Sequence, residues 1–140
     1  MTTRFEVIDE ARTWQGVKWR HLGRGRGGVD CAGLMVCVAQ AKGLEYVDLK
    51  IYSHTPDGAE LRAAMDSCLD RVPHGKHRPG DIALMRFGTD PVHLGILTDT
   101  YPNMGLVHAH ALHRMVVEHP YTGEFVAKTS LYYSFRGLED

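Results

Sequence analysis

The chain has 140 residues, 44% of them hydrophobic, enough for one domain with one buried core and no cross-links. Its 16 basic and 17 acidic residues leave a formal net charge of -1, so composition offers no footprint for nucleic acid or an anionic membrane surface. Cys31, Cys37 and Cys68 form an odd set without C-x-x-C spacing, which argues against a disulfide framework and a cysteine-rich zinc site. Met1 to Arg12 carries charge from Arg4 onward and does not read as a secretory signal. No run approaches the ~20 apolar residues of a membrane span. The expectation is a chain made in the cytoplasm and carried to any outside site of action by something else.

In chain order, Thr3 and Glu6 have capping-box spacing, and Phe5, Ile8, Ala11 and Trp14 recur every three residues, predicting a first helix that ends near Gly16. The segment Leu22 to Gly28 is glycine- and arginine-rich and reads as a mobile cationic loop. Asp30 is an N-cap residue type, helix formers and apolar residues follow to Lys42, and Gly43 stands at the stop. Cys31 therefore falls in the first turn of a second helix. Asp57 and Glu60 open a third, with Leu61, Ala64, Met65 and Cys68 on one face. Beyond the loop around His74 and His77, to which no role is assigned, the period shortens. Ile82 to Phe87, Val92 to Thr98, Leu106 to His110, Met115 to Glu118 and Leu131 to Phe135 read as strands. Helices followed by antiparallel strands in one small chain, 1–140, predict a single α+β domain of about five strands, with the Cys31 helix packed on the sheet.

A cysteine attacks as thiolate, and amide donors at a helix N-terminus together with a nearby imidazolium lower its pKa from about 8.5. Cys31 has the first of these by position. Gly27, Gly28 and Gly33 around it leave room for a substrate backbone. A lone cysteine is more often a small core residue, and Cys37 and Cys68 read as such, Cys37 lying about 600° round the helix from Cys31. Strand alternation sets Val92, Leu94 and Ile96 on one face and His93, Gly95 and Leu97 on the other, with Gly95 leaving space beside the imidazole. A hairpin turning near Asp99 to Asn103 would place His108 opposite His93 in one register and His110 opposite it two residues along. A base needs its second nitrogen held by an acceptor, so Cys31, His93 and His108 make a candidate triad. His93, His108, His110 and His113 could instead be weighed as metal ligands. In a strand, however, positions 110 and 113 face opposite sides, so no metal or other cofactor is expected.

Four motifs in order, GGVDCAGL, RPGDIALMR, PVHLGIL and LVHAH, resemble the NlpC family of papain-fold cysteine peptidases, specifically its phage tail-associated branch. The resemblance covers about Trp14 to Glu118. It implies a papain-like fold and hydrolysis of peptidoglycan stem peptides at the bond between D-γ-glutamyl and diaminopimelate residues, through an acyl-enzyme on Cys31. His93 would be the general base and His108 its orienter, with the oxyanion on the backbone amide at Cys31. Trp19 stands where the family often has a tyrosine; it can wall the site and donate one hydrogen bond but lacks a hydroxyl. Ala32 replaces the usual serine. Asp30, Trp19 and Arg26 complete the candidate substrate or oxyanion set; Arg24 and Arg26 could meet stem-peptide carboxylates, a solvated loop being an equally good reading of both. Implied partners are stem peptides and phage tail tip or hub proteins, and the implied location is a virion tail acting on the periplasmic wall. The competing readings are a structural tail-tip component, inactive or masked, and an acyltransferase or amidase using the same thiol.

Overall fold

The computed structural model describes residues 1–48, 59–87 and 90–139. Thr3 caps the first helix (α1, Arg4–Arg12), its hydroxyl accepting from the Glu6 amide at 3.1 Å. The helix stops earlier than its spacing suggests. A three-residue repeat drifts backward around a 100° helix, so Phe5 and Trp14, nine residues apart, would lie on opposite sides. Accordingly Val7, Ile8 and Ala11 face the core, Phe5 is exposed, and Trp14 is buried from the turn beyond the helix. Arg4 ties α1 to the buried Asp81, Nη1 to Oδ1 at 2.6 Å, and Arg12 grips Glu118 by paired bonds of 3.1 Å.

The cationic segment is ordered. Arg24–Gly25 (β1) and Gly28–Val29 (β2) form a minimal hairpin. Residues 16–19 run beside it: the Val29 amide donates to the Lys18 carbonyl at 3.0 Å and the Arg20 amide to the Val29 carbonyl at 3.0 Å. The second helix (α2, Cys31–Lys42) begins and ends as its sequence predicts. Asp30 Oδ1 accepts from the Gly33 amide at 2.8 Å, and Gly43 closes the helix in the left-handed conformation, φ 65°. Residues Ala32 to Ala39 are all buried, so α2 needs cover on every side. The sheet provides it on one side, α1 on another and the 20–28 loop over the first turn. Gly33 shows how close that loop lies, because a Cβ there would stand 2.0 Å from the Gly23 carbonyl oxygen. The space at Gly33 is filled by the chain itself and is not open to a substrate.

The third helix (α3, Ala59–Cys68) buries Leu61, Met65 and Cys68 as predicted; its proposed cap, Asp57, lies outside the described residues. The chain then continues directly into an unpredicted strand (β3, Leu69–Val72). The remaining strands are β4 (Ile82–Phe87), β5 (Asp90–Thr98), β6 (Gly105–His110), β7 (Met115–Pro120) and, after a single helical turn (α4, Glu124–Ala127), β8 (Thr129–Phe135). They form a six-stranded antiparallel sheet in the order β3-β8-β4-β5-β6-β7, one strand more than expected. β3 escapes a periodicity reading because it is a four-residue edge whose middle residues, Asp70 and Arg71, are exposed. The His74 and His77 loop packs against the sheet: His77 stacks on Tyr132 at 3.9 Å between centroids, and His74 meets the same ring edge-on at 5.0 Å.

Two cores divide the sheet's faces. Leu94, Ile96, Val107, Ala109 and Val116 pack with α1, α2 and α3. Ala83, Met85, Leu97, Leu106, Tyr121 and Tyr132 pack on the other face with Phe87 and Phe125. Since Asp30 both caps α2 and accepts from the Leu22 amide at 2.8 Å, Asp30→Ala should cost more than a cap alone. We expect a loss of about 2 kcal/mol or more in urea unfolding, with an unchanged m-value.

Candidate active site

Cys31 is the first residue of α2, half-buried against the helical core, while Cys37 and Cys68 are buried. Burial pushes the Cys37 thiol up from its ordinary pKa, and Cys68 Sγ donates to the Ala64 carbonyl at 3.3 Å. Of the three thiols, Cys31 is the most exposed.

His93 on β5 and His108 on β6 meet. His93 Nε2 and His108 Nδ1 are 2.5 Å apart, with the rings edge to face at 4.7 Å. Both are buried, His93 to 8% exposure and His108 completely, so neither is the solvated outer-face residue that polarity alone would suggest. The β5–β6 register pairs Ile96 with Val107 and Leu97 with Leu106. Continued, it brings His110 level with His93, and the two rings lie 6.1 Å apart. The hydrogen bond nevertheless runs diagonally to His108, a reach that aromatic side chains two positions along can span. Gly95 makes it possible. A Cβ there would come within 2.4 Å of Leu106 Cδ1 and 3.2 Å of His108 Cβ, so the space beside His93 is occupied by these side chains rather than left open.

The pair lies with Phe87, Phe125, Leu97 and Leu106 on the face opposite the one on which α2 packs. Phe87 meets His93 edge-on at 5.9 Å, and Phe125 meets His108 at 5.6 Å. Cys31 approaches from the α2 side at the same end of the sheet. Val29, two residues before it, bonds to Lys18; Lys18 bridges to Met115; and Met115 pairs with His110. The structure thus brings the two histidines into direct contact and ties the Cys31 turn to their end of the sheet.

The remaining candidates are spread around this end. Asp30 is spent on structure, accepting from Gly33, Leu22 and Arg24, the last at 3.1 Å. Arg24 also holds Asp48 at 3.0 Å. Arg26 turns toward α1, its guanidinium 3.7 Å from the Trp14 ring centroid and donating to the Thr13 carbonyl at 2.8 Å. Trp19 is 37% exposed, beside His21 at 6.5 Å between centroids, and its backbone amide donates to Arg114. His113 packs against His110 at 4.7 Å, and no group of residues suited to a metal ion is found among the described residues. Sequence reasoning missed His119, whose Nε2 lies 2.7 Å from His108 Nε2, because the strand was ended at Glu118. Phe125 was missed with its one-turn helix.

Burial, followed by repulsion from His110 and His119, lowers His93 from its ordinary pKa to about 4, and burial with the surrounding imidazoles lowers His108 further. Both rings are therefore neutral at neutral pH.

A half-buried thiol at a helix N-terminus and a buried imidazole pair on an antiparallel sheet sit within a papain-like α+β architecture. More narrowly, the fold is that of the NlpC/P60 proteins. An NlpC/P60 family protein from Bacillus cereus superposes with a TM-score of 0.71 at 14% identity, over 94% of this chain and 39% of that one. The NlpC/p60 domain of the peptidoglycan hydrolase SagA superposes at 0.68 and 16% identity, over 95% and 99%. The peptidoglycan hydrolase RipB from Mycobacterium tuberculosis gives 0.66 and 17%, over 98% and 65%. The chain spans about two fifths of the Bacillus cereus protein and nearly all of the SagA domain. No protein-family model and no curated protein matches the sequence.

Two predictions follow from the histidine geometry. Gly95→Ala should destabilise by about 1–3 kcal/mol in denaturant titration, because Leu106 and His108 must both shift. The second concerns pH. The native His93 ring binds a proton near pH 4 and the unfolded ring near about 6.5, so between these limits the unfolded state holds more protons and stability falls as pH falls. His93 alone should remove ~2 kcal/mol between about pH 6.5 and about pH 5, and His93→Gln should remove that share of the slope in equilibrium unfolding while His108 keeps its own.

Proposed function

We propose that this chain is a cysteine peptidase that hydrolyses the stem peptides of bacterial peptidoglycan. One observation carries the proposal: a buried, hydrogen-bonded imidazole pair lies at the sheet end to which the N-terminal turn of the Cys31 helix is tied, within an NlpC/P60 fold. Cys31 is the nucleophile, His93 the general base and His108 its orienter. In the first step the thiol proton passes to His93 as sulfur attacks the scissile carbonyl. The oxyanion leans on the backbone amide of Cys31 at the start of α2, a contribution of ~3 kcal/mol for a donor of this kind. His93 returns the proton to the leaving amine, the C–N bond breaks, and an acyl-thioester remains on Cys31. Water, giving its proton to His93, then releases the acid and regenerates the thiol. We assign the bond to the D-γ-glutamyl-diaminopimelate linkage and the setting to a phage tail or tail-like particle acting on the wall. The four ordered motifs support both assignments.

This chemistry requires the thiol and the imidazole to meet round the end of the sheet. Cys31→Ala should abolish release of stem-peptide fragments, read by mass spectrometry, while leaving the thermal melt intact. His93→Gln should slow alkylation of Cys31 by iodoacetamide by about tenfold or more at neutral pH. An unchanged alkylation rate would show that thiol and imidazole are not coupled. It would favour the second reading, a structural tail-tip module, for which Trp19 in the tyrosine position is the supporting observation.

A further inference from the structure

The histidine pair belongs to a longer chain. His108 Nε2 lies 2.7 Å from His119 Nε2, and His119 Nδ1 lies 2.9 Å from the Pro120 carbonyl oxygen. We propose that His119 is a positioning residue that, acting through His108, fixes the tautomer of His93. The assignment of a base role to His93 rests on the peptidase reading; the tautomer order does not.

The derivation begins at the carbonyl. A backbone oxygen has only lone pairs, so His119 Nδ1 carries the hydrogen and donates to Pro120. With His119 as the neutral ring, its one N–H is spent on Pro120 and Nε2 is left as an acceptor. His108 Nε2 therefore holds a hydrogen and donates, and its Nδ1 is left with a lone pair. His93 Nε2 in turn donates to His108 Nδ1, which leaves His93 Nδ1 unprotonated and able to take a proton from a thiol.

Without a fixed end the same three rings would be degenerate. Reversing every hydrogen satisfies both ring-to-ring bonds equally well, but it turns His93 Nδ1 into a donor, useless as a base, and sets a bare His119 Nδ1 lone pair against the Pro120 oxygen. The carbonyl removes that alternative. Desolvation of His93 and His108 supports the neutral forms of these two rings. Phe125 holds the relay in place, 4.5 Å from the His119 ring centroid and 5.6 Å from that of His108.

Long-range 1H–15N correlation spectra of the uniformly 15N-labelled chain at neutral pH report each tautomer directly. We expect Nε2–H for His93 and His108 and Nδ1–H for His119. His119→Phe keeps a ring against Phe125 but removes the acceptor. In that variant His108 should move partly or wholly to its Nδ1–H form, and kcat on stem peptides should fall on the order of tenfold or more with little change in KM. His119→Gln, whose amide oxygen can accept from His108 Nε2–H, should restore both the tautomer and the rate. A wild-type His108 in the Nδ1–H form overturns the proposal even if no variant folds, as does a His119→Phe spectrum with both partner tautomers unchanged. Expected tautomers in a wild-type chain that cleaves no stem peptide would leave the order standing and count against the peptidase reading alone.

Discussion

The burial of α2 on every side is the constraint from which the rest of the structure follows. A helix apolar all round cannot lie on a surface, so the sheet, α1 and the 20–28 loop close around it. Its buried N-terminal end then has to be satisfied inside the protein. Asp30 meets that need, while Gly43 closes the helix where it reaches the surface. Because Asp30 also holds the Leu22 amide and Arg24, the capping carboxylate doubles as the anchor of the loop over the first turn. Cys31 inherits its position from this arrangement: it is the first residue after the cap, at the seam between a packed helix and the loop that covers it.

The histidines answer to a different constraint. They occupy the sheet face away from α2, where Phe87 and Phe125 pack against the buried His93 and His108 rings, which bond to one another and, through the half-buried His119, to a backbone carbonyl. In such surroundings protonation is penalised and hydrogen bonds acquire direction. Under the peptidase reading, the resting site holds a neutral base, and charge appears on His93 only as the thiol attacks.

How much of this could be read in the sequence depended on how local each cause is. The N-cap at Asp30, the stop at Gly43 and the core faces of α2 and α3 are set within a few residues and were predicted in place. The five predicted strands show alternation, and all five are present. α1 was extended too far because spacing was counted without its angular drift. β3 and the β1–β2 hairpin were missed because a four-residue edge with two exposed charges and a two-residue ladder carry no periodicity. In the site, alternation placed His93 and His108 on a shared face, but the two registers considered both assumed directly opposed partners. The diagonal bond depends on the missing side chain at Gly95, whose role shows only when the facing strand is in place. Arg26 looked like a ligand for carboxylates because its attraction to Trp14 joins residues that only the folded chain brings together.

Residues 16–19 have a consequence beyond positioning Trp19. They bond along the outer side of β7, Gly16 and Val17 exchanging hydrogen bonds of 2.9 Å with Val116 and Trp19 taking the Arg114 carbonyl. At the other margin of the sheet, β3 presents Asp70 and Arg71 to solvent. One margin is covered by the chain's own backbone and the other blunted by charge, so among the described residues neither margin of the sheet offers a bare apolar strand to a second copy. That works against edge-to-edge pairing of two such sheets.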